Sequence, residues 1–144
     1  MTRFGLLLFT FFCGFGAAES VANSLQETFR RPVALAWASD DLLVVANRDT
    51  GSISVLDANK RRVLGEVVVG KRLSSLSSLL GTPFLVAADE EANELLLLES
   101  KGATVAVRDR ISVPHSPVNV LVSKDNSFAV VASLWARQVS LIRV

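Results

Sequence analysis

One string of residues returns twice along the chain, and it limits the fold more tightly than any other feature. Val44-Val45-Ala46-Asn47 comes back 42 residues later as Val86-Ala87-Ala88-Asp89, and 44 residues after that as Val130-Val131-Ala132-Ser133. A second string keeps the same register: Ser52-Ile53-Ser54-Val55-Leu56, Glu94-Leu95-Leu96-Leu97-Leu98 and Gln138-Val139-Ser140-Leu141-Ile142. Pro32, Leu73 and Pro117 form a third landmark. A repeat of this length means a unit that buries its faces against its own neighbours.

Each unit holds short apolar runs separated by turn residues. In the first they are Val33 to Trp37, Leu42 to Ala46, Ser52 to Leu56 and Val63 to Val69. Asp, Asn and Gly fill the gaps, as in Ser39-Asp40-Asp41 and Asn47-Arg48-Asp49-Thr50-Gly51, where they suit tight hairpins because they tolerate left-handed dihedrals. Four short strands per ~40 residues is the pattern of a β-propeller blade. The second run of each unit is apolar on consecutive residues, as a strand covered on both faces should be. The expectation is therefore an all-β chain. It should form a partial β-propeller of about three four-stranded antiparallel blades, at 31–70, 71–114 and 115–144. The third blade is expected to be incomplete, because the chain stops in its third strand. A helical alternative exists for Leu73 to Ser100. Leu73, Leu76, Leu79 and Leu80 fall at helical spacing, and Asp89 to Ser100 is rich in Glu, Ala and Leu. Alignment with two strand-rich units favours strands there as well.

The N-terminus reads differently. After Met1-Thr-Arg3 an uncharged stretch runs from Phe4 to Ala18 and ends in Gly16-Ala17-Ala18. A positive charge, an apolar stretch and then small residues make a secretory signal peptide, 1–18, followed by a polar leader, 19–30. Cleavage after Ala22 is the alternative to Ala18. Fifteen apolar residues fall short of the roughly 20 that span a bilayer, although an uncleaved anchor or a buried N-terminal helix would also use such a stretch. Cys13, the only cysteine, would leave with the signal, so the mature chain offers no disulfide and no thiolate. It is also near neutral, since Arg3 leaves and the remaining basic and acidic residues balance. Nothing in that balance suggests a nucleic-acid groove or a polybasic membrane patch. The expected location is secreted, periplasmic or at the cell surface, with no membrane span after cleavage.

The units resemble the YVTN family of β-propeller repeats. That family's pattern is matched in the first unit by Pro32, Asp40-Asp41, Val44-Val45-Ala46-Asn47, Ser54-Val55-Leu56-Asp57 and Val69-Gly70. In the third unit Pro117 to Ala132 matches, with Lys124-Asp125-Asn126 as the turn. The second unit departs, with Leu73 in place of Pro, Gly81-Thr82 in place of the aspartate turn and Glu99 in place of Asp. The resemblance covers about Arg30 to Val144. It implies a mostly non-enzymatic, exported binding protein, some relatives of which carry cytochrome c domains or belong to redox enzymes. Covalent haem attachment would need Cys-x-x-Cys-His, which is absent.

Chemistry-bearing residues are few. His115 is the only histidine. A Ser-His-Asp arrangement would have to use it, yet its neighbour Ser116 lies in a loop between prolines with no nucleophile-elbow context. A His/Cys metal site cannot be assembled, and Asp89, Glu90, Glu91 and Glu94 form either a solvated acidic turn or a set of calcium ligands. No catalytic residue, cofactor or metal is expected. Strand alternation brings the loop entering each first strand and the loop joining the second strand to the third onto one face. The entering loops carry Arg30, Arg31, Lys71, Arg72 and His115; the third joining loop carries Trp135 and Arg137. A basic ring there could receive an anionic ligand or an acidic protein, or it could be a solvated rim. Trp135 beside Arg137 suits a protein interface, and equally a position packed between blades. The functional expectation is a non-catalytic exported binding module. The alternatives are a fragment of an extracytoplasmic redox propeller and a truncated product without a role of its own. Self-association through open blade edges is expected for a chain of three blades.

Overall fold

The computed structural model describes residues 29–144. The signal-peptide reading and most of the polar leader lie outside the described residues. Among the described residues there are eleven strands: β1 Pro32–Trp37, β2 Leu42–Asn47, β3 Ser52–Asp57, β4 Arg62–Val68, β5 Leu73–Ser78, β6 Phe84–Asp89, β7 Glu94–Lys101, β8 Thr104–Ser112, β9 Pro117–Val122, β10 Phe128–Ser133 and β11 Gln138–Arg143. They form three antiparallel sheets in sequence order: β1 to β4, β5 to β8, and a three-stranded sheet of β9 to β11. Each first strand meets its second with a register shift at the same repeat position, Pro32/Ala34, Leu73/Ser75 and Ala132/Ser133 opposite Pro117. The first strands β1, β5 and β9 lie side by side, the placement of innermost strands around a common axis.

The helical alternative for Leu73 to Ser100 gives way to β5, β6 and β7. The cause is burial rather than propensity. Leu95, Leu96 and Leu98 are all fully buried, alternately on the two faces of β7. An amphipathic helix would bury one face and leave the rest of such a run wet. Tertiary context therefore overrides the helix-forming side chains.

Two cores hold the sheets together. One lies between the first two sheets and includes Val44, Ala46, Ile53 and Val55 facing Leu76, Leu85, Ala87, Leu96 and Leu98. The other lies between the second and third and joins Val86 and Leu95 to Val120, Ala129 and Val131. The middle blade is thus covered on both sides. Its β6 is buried almost throughout, whereas β10 alternates buried and half-buried residues because only one of its faces is covered.

The turns on the opposite side from the joining loops are pinned by side chains. In the β9–β10 turn, Asp125 accepts hydrogen bonds from the Ser123 hydroxyl (2.6 Å), the Ser127 hydroxyl (2.7 Å) and the Ser127 N–H (3.1 Å). The Ser123 hydroxyl first, and then the Ser127 donors, hold its carboxyl down from an ordinary 3.8 to about 2. A folded-state value below the unfolded one means stabilisation that is present above the unfolded value and lost as pH falls through the folded one. The carboxyl carbon of Asp125 should therefore titrate near pH 2 in an NMR series, with the turn loosening between about pH 4 and 2. A midpoint at the ordinary value would show that the turn is open in solution.

Candidate functional site

The face carrying the entering and joining loops is organised by one buried polar residue per blade. These are Asn47, Asp89 and Ser133, the last residues of β2, β6 and β10, and all three are buried. Asp89 is the most heavily used. Its carboxylate accepts N–H bonds from Lys71 (2.7 Å), Arg72 (3.1 Å) and Ala92 (3.1 Å), so it ties the entering loop to the joining loop. Asn47 donates from its amide to Ser52 Oγ (3.1 Å) and Ser54 Oγ (2.9 Å). The Ser133 hydroxyl donates to the Pro114 carbonyl (2.9 Å). Buried polar groups are hydrogen-bonded because an unpaired one is costly, and these three spend that requirement on holding the connectors.

The joining loops share a second device. Gly51, Asn93 and Arg137 stand at equivalent repeat positions just before the third strand, and all three have positive φ, between 53° and 60°. Asn93 also receives the chain of the next blade, since its Oδ1 accepts the Ser116 N–H (2.8 Å) and lies 3.0 Å from His115 Nδ1.

The predicted basic ring is not left as free positive charge. Arg30 pairs with Glu66 (2.7 Å), on the outermost strand β4, and therefore lies away from the inner strands. Glu66 is held below the usual carboxylate range by the Ser52 hydroxyl and then by Arg30. Arg31 pairs with Asp49 (3.8 Å) and Arg72 with Glu91 (3.7 Å). Arg48 pairs with Glu90, which also accepts the Ser116 hydroxyl (3.1 Å), so Glu90 links all three blades. Glu94 pairs with Arg110 (3.0 Å). The four carboxylates considered as calcium ligands are thus each committed to separate donors. Lys71 and Arg137 make no ion pair among the described residues, and His115 is engaged by Asn93.

Trp135 departs from the pattern of its equivalents. Its repeat positions in the first two blades are Asp49 and Glu91, both paired with the entering arginine. Leu134 likewise stands where Arg48 and Glu90 form their bridge. The third blade therefore replaces two charged loop residues by Leu134 and Trp135, both well exposed. Beside the second blade a polar cleft of about 540 Å³ is lined by Lys71, Asp89, Glu91, Glu94 and Arg110. No helix among the described residues is long and apolar enough to cross a membrane, and no group of three His, Cys, Asp or Glu side chains among them could hold a metal ion.

No protein-family model matches the chain, and no curated protein matches it. Solved structures do. A chain of hydrazine synthase from Kuenenia stuttgartiensis is similar over 86% of this chain and 36% of its own length, with a TM-score of 0.74 at 18% identity. A chain of the mitotic checkpoint complex is similar over 77% and 35%, with a TM-score of 0.69 at 16% identity. The WD40 repeats of RRP9 are similar over 76% and 41%, with a TM-score of 0.66 at 15% identity. The chain thus spans about two fifths or less of the length of these structures, and identities this low carry the fold alone. Taken with the sheets, that likeness makes the three blades WD40-like β-propeller blades.

Proposed function

We infer that the chain is an exported, non-catalytic binding module of YVTN-type blades, and that it meets a protein partner on its loop face. The observation that carries this reading is the replacement of two charged loop residues by exposed Leu134 and Trp135 in the third blade. Exposed Trp beside a cation is the composition of an interface anchor, and Arg137 supplies a cation with no ionic partner among the described residues. An acidic protein surface would complement Lys71 and Arg137 and would leave the paired arginines in place. The surrounding groups support a binding role over a chemical one, because His115 rests on Asn93 and Ser116 on Glu90. Export is supported by the charged, apolar and small-residue order of the first 18 residues.

A second reading has its own support. Besides hydrazine synthase, a chain of dihydro-haem d1 dehydrogenase NirN is similar in fold, with a TM-score of 0.65 at 23% identity over 76% of this chain and 25% of that one. On that reading the blades serve an extracytoplasmic redox protein whose cofactor is held elsewhere.

One experiment tests the first reading. A photo-crosslinking residue replaces Trp135, and in a separate variant Val63, which is exposed on the outer strand β4. Crosslinked protein should form from position 135 and not from 63, outside the cytoplasm, and the chain should begin at Glu19. Equal labelling from both positions, or an intact Met1 on cytoplasmic protein, overturns the reading. Haem absorbance following the crosslinked species would favour the redox alternative.

A further inference from the structure

On the side opposite the loop face, the turn joining the first strand of a blade to its second lies beside the same turn of the next blade, and the two pairs of neighbours meet differently. Between the second and third blades the β9–β10 turn clamps the β5–β6 turn. Asn126 donates from its amide to the Leu80 carbonyl (2.8 Å), and its Oδ1 accepts the Leu80 N–H (3.0 Å). Thr82 holds the equivalent position in the second blade and does not reach back to the first. Its hydroxyl donates to the Leu79 carbonyl (2.9 Å) and accepts the Phe84 N–H (3.2 Å), both within its own turn. The turn of the first blade is also shorter, four residues at 38–41 against five at 79–83 and 123–127. An open groove of about 840 Å³ lies between the first two blades, a size within the roughly 300–1,000 Å³ of ligand sites. Both of its walls belong to blades that pack on each other in this chain, so the groove is there whatever precedes the first blade or follows the third.

The groove is walled by Leu42 of the first blade and by Leu79, Leu80 and Pro83 of the second. Leu80 is 65% exposed although its blade is covered on both sides, and the clamp from Asn126 fixes its backbone. The equivalent turn positions carry Ser39 and Lys124. A leucine held out on a fixed turn at the rim of an apolar groove has the character of a docking surface rather than of a scattered apolar residue. Asp40 is the one charged residue lining the groove; it is exposed and makes no ion pair among the described residues. We propose that the groove docks a segment of a partner protein in which an apolar side chain stands beside a lysine or arginine. The apolar side chain lies against the leucines, and the cation meets Asp40. The hydroxyls of Ser39 and Ser78, which also line the groove, can bond to the backbone of such a segment. Asp40 disfavours an acidic segment and an anionic lipid surface alike. Trp135 and Arg137 lie at the other end of the blades, so the proposal is independent of the loop-face reading.

NMR spectra of the isotope-labelled full chain, purified from its native compartment, test it with three blocked peptides: acetyl-Leu-Leu-Arg-Leu-amide, its Glu counterpart and acetyl-Ser-Ser-Arg-Ser-amide. The first should shift the amides of Leu80, Gly81 and Gly102 saturably. The Glu peptide should bind about two- to five-fold more weakly, as an exposed ion pair allows. The serine peptide should bind about tenfold more weakly, because the apolar contact is lost. Asp40→Lys should reverse the order of the Arg and Glu peptides, and Leu80→Ser should bring the first peptide down toward the third. Both residues are exposed, and the parent's circular dichroism identifies each variant as folded. An absence of saturable shifts at the groove, equal binding of the Arg and Glu peptides, or an order that Asp40→Lys leaves unchanged overturns the proposal. So do groove amides that respond only to protein concentration, which makes a second copy the occupant, or only to phosphatidylcholine vesicles, which makes it a lipid surface.

Discussion

Asp89→Ala should cost about 3–5 kcal/mol, the largest loss expected from any single side chain of the loop face. The carboxylate is fully buried and accepts three backbone N–H groups, from Lys71, Arg72 and Ala92. Alanine leaves those three donors without their acceptor. A buried unsatisfied donor costs about 1–3 kcal/mol, and more where the lost partner is charged. Against a total stability of about 5–15 kcal/mol for a domain, that brings the chain close to unfolding. Asp89→Asn should cost less, about 1–3 kcal/mol. Asn47 shows that an amide fits the equivalent place in the first blade, but its NH2 would face an N–H where Asp89 presents an oxygen. Urea titration followed by tryptophan fluorescence and circular dichroism measures both losses. An Asp89→Ala variant with the parent's midpoint would mean that water or a rearranged loop satisfies the three donors, and that Asp89 does not hold the loop face.

The same residue marks where reading the sequence stops being sufficient. The three sheets were legible because the repeat keeps its register over the whole described chain, and because alternation and turn residues are local signals. The incomplete third sheet was legible for the same reason. The role of Asp89 was not. In the sequence it stands first in an acidic run, Asp89-Glu90-Glu91, which reads as a solvated turn. Its burial comes from a connector 18 and 17 residues earlier, at Lys71 and Arg72, folding over it. The entering loops, taken alone, suggest a basic ring. Its counter-charges, Asp49 and Glu91, sit in matching register in the joining loops, so comparing both loop sets across the repeat would have predicted the Arg31–Asp49 and Arg72–Glu91 pairs. The same comparison picks out Trp135, which stands where the other two blades carry an acid. Arg30 was the exception, since its pairing with Glu66 depends on how the chain crosses to the outer strand.

Gly51→Ala should lower the melting temperature by about 10 °C, on a scale of roughly 4 °C per kcal/mol for a domain between the small and the larger size classes. The cause is crowding more than dihedral preference. Gly51 has φ +60°, but Asn93 and Arg137 hold equivalent positions at 59° and 53° with full side chains. What distinguishes Gly51 is how closely the connector runs against it. A β-carbon there would strike the Gly70 carbonyl, 2.6 Å from its carbon and 2.9 Å from the carbonyl carbon of Lys71. These are backbone atoms and cannot swing aside as a side chain would, so the connector itself must move. The Gly51 carbonyl accepts the N–H groups of both Val69 and Gly70, each at 2.9 Å, and displacement strains or breaks both bonds. The connector continues directly into Lys71 and Arg72, whose N–H groups reach Asp89, so the strain is carried into the buried carboxylate as well. Arg137→Gly is the matching control. It removes a side chain from the left-handed region, where L-residues other than glycine lose roughly 1–2 kcal/mol, and should leave the melt unchanged or raise it by a few degrees. Thermal melts by circular dichroism compare the three proteins. If Gly51→Ala melts with the parent, the connector between the first two blades is free to shift, and close approach is not the reason for glycine at this position.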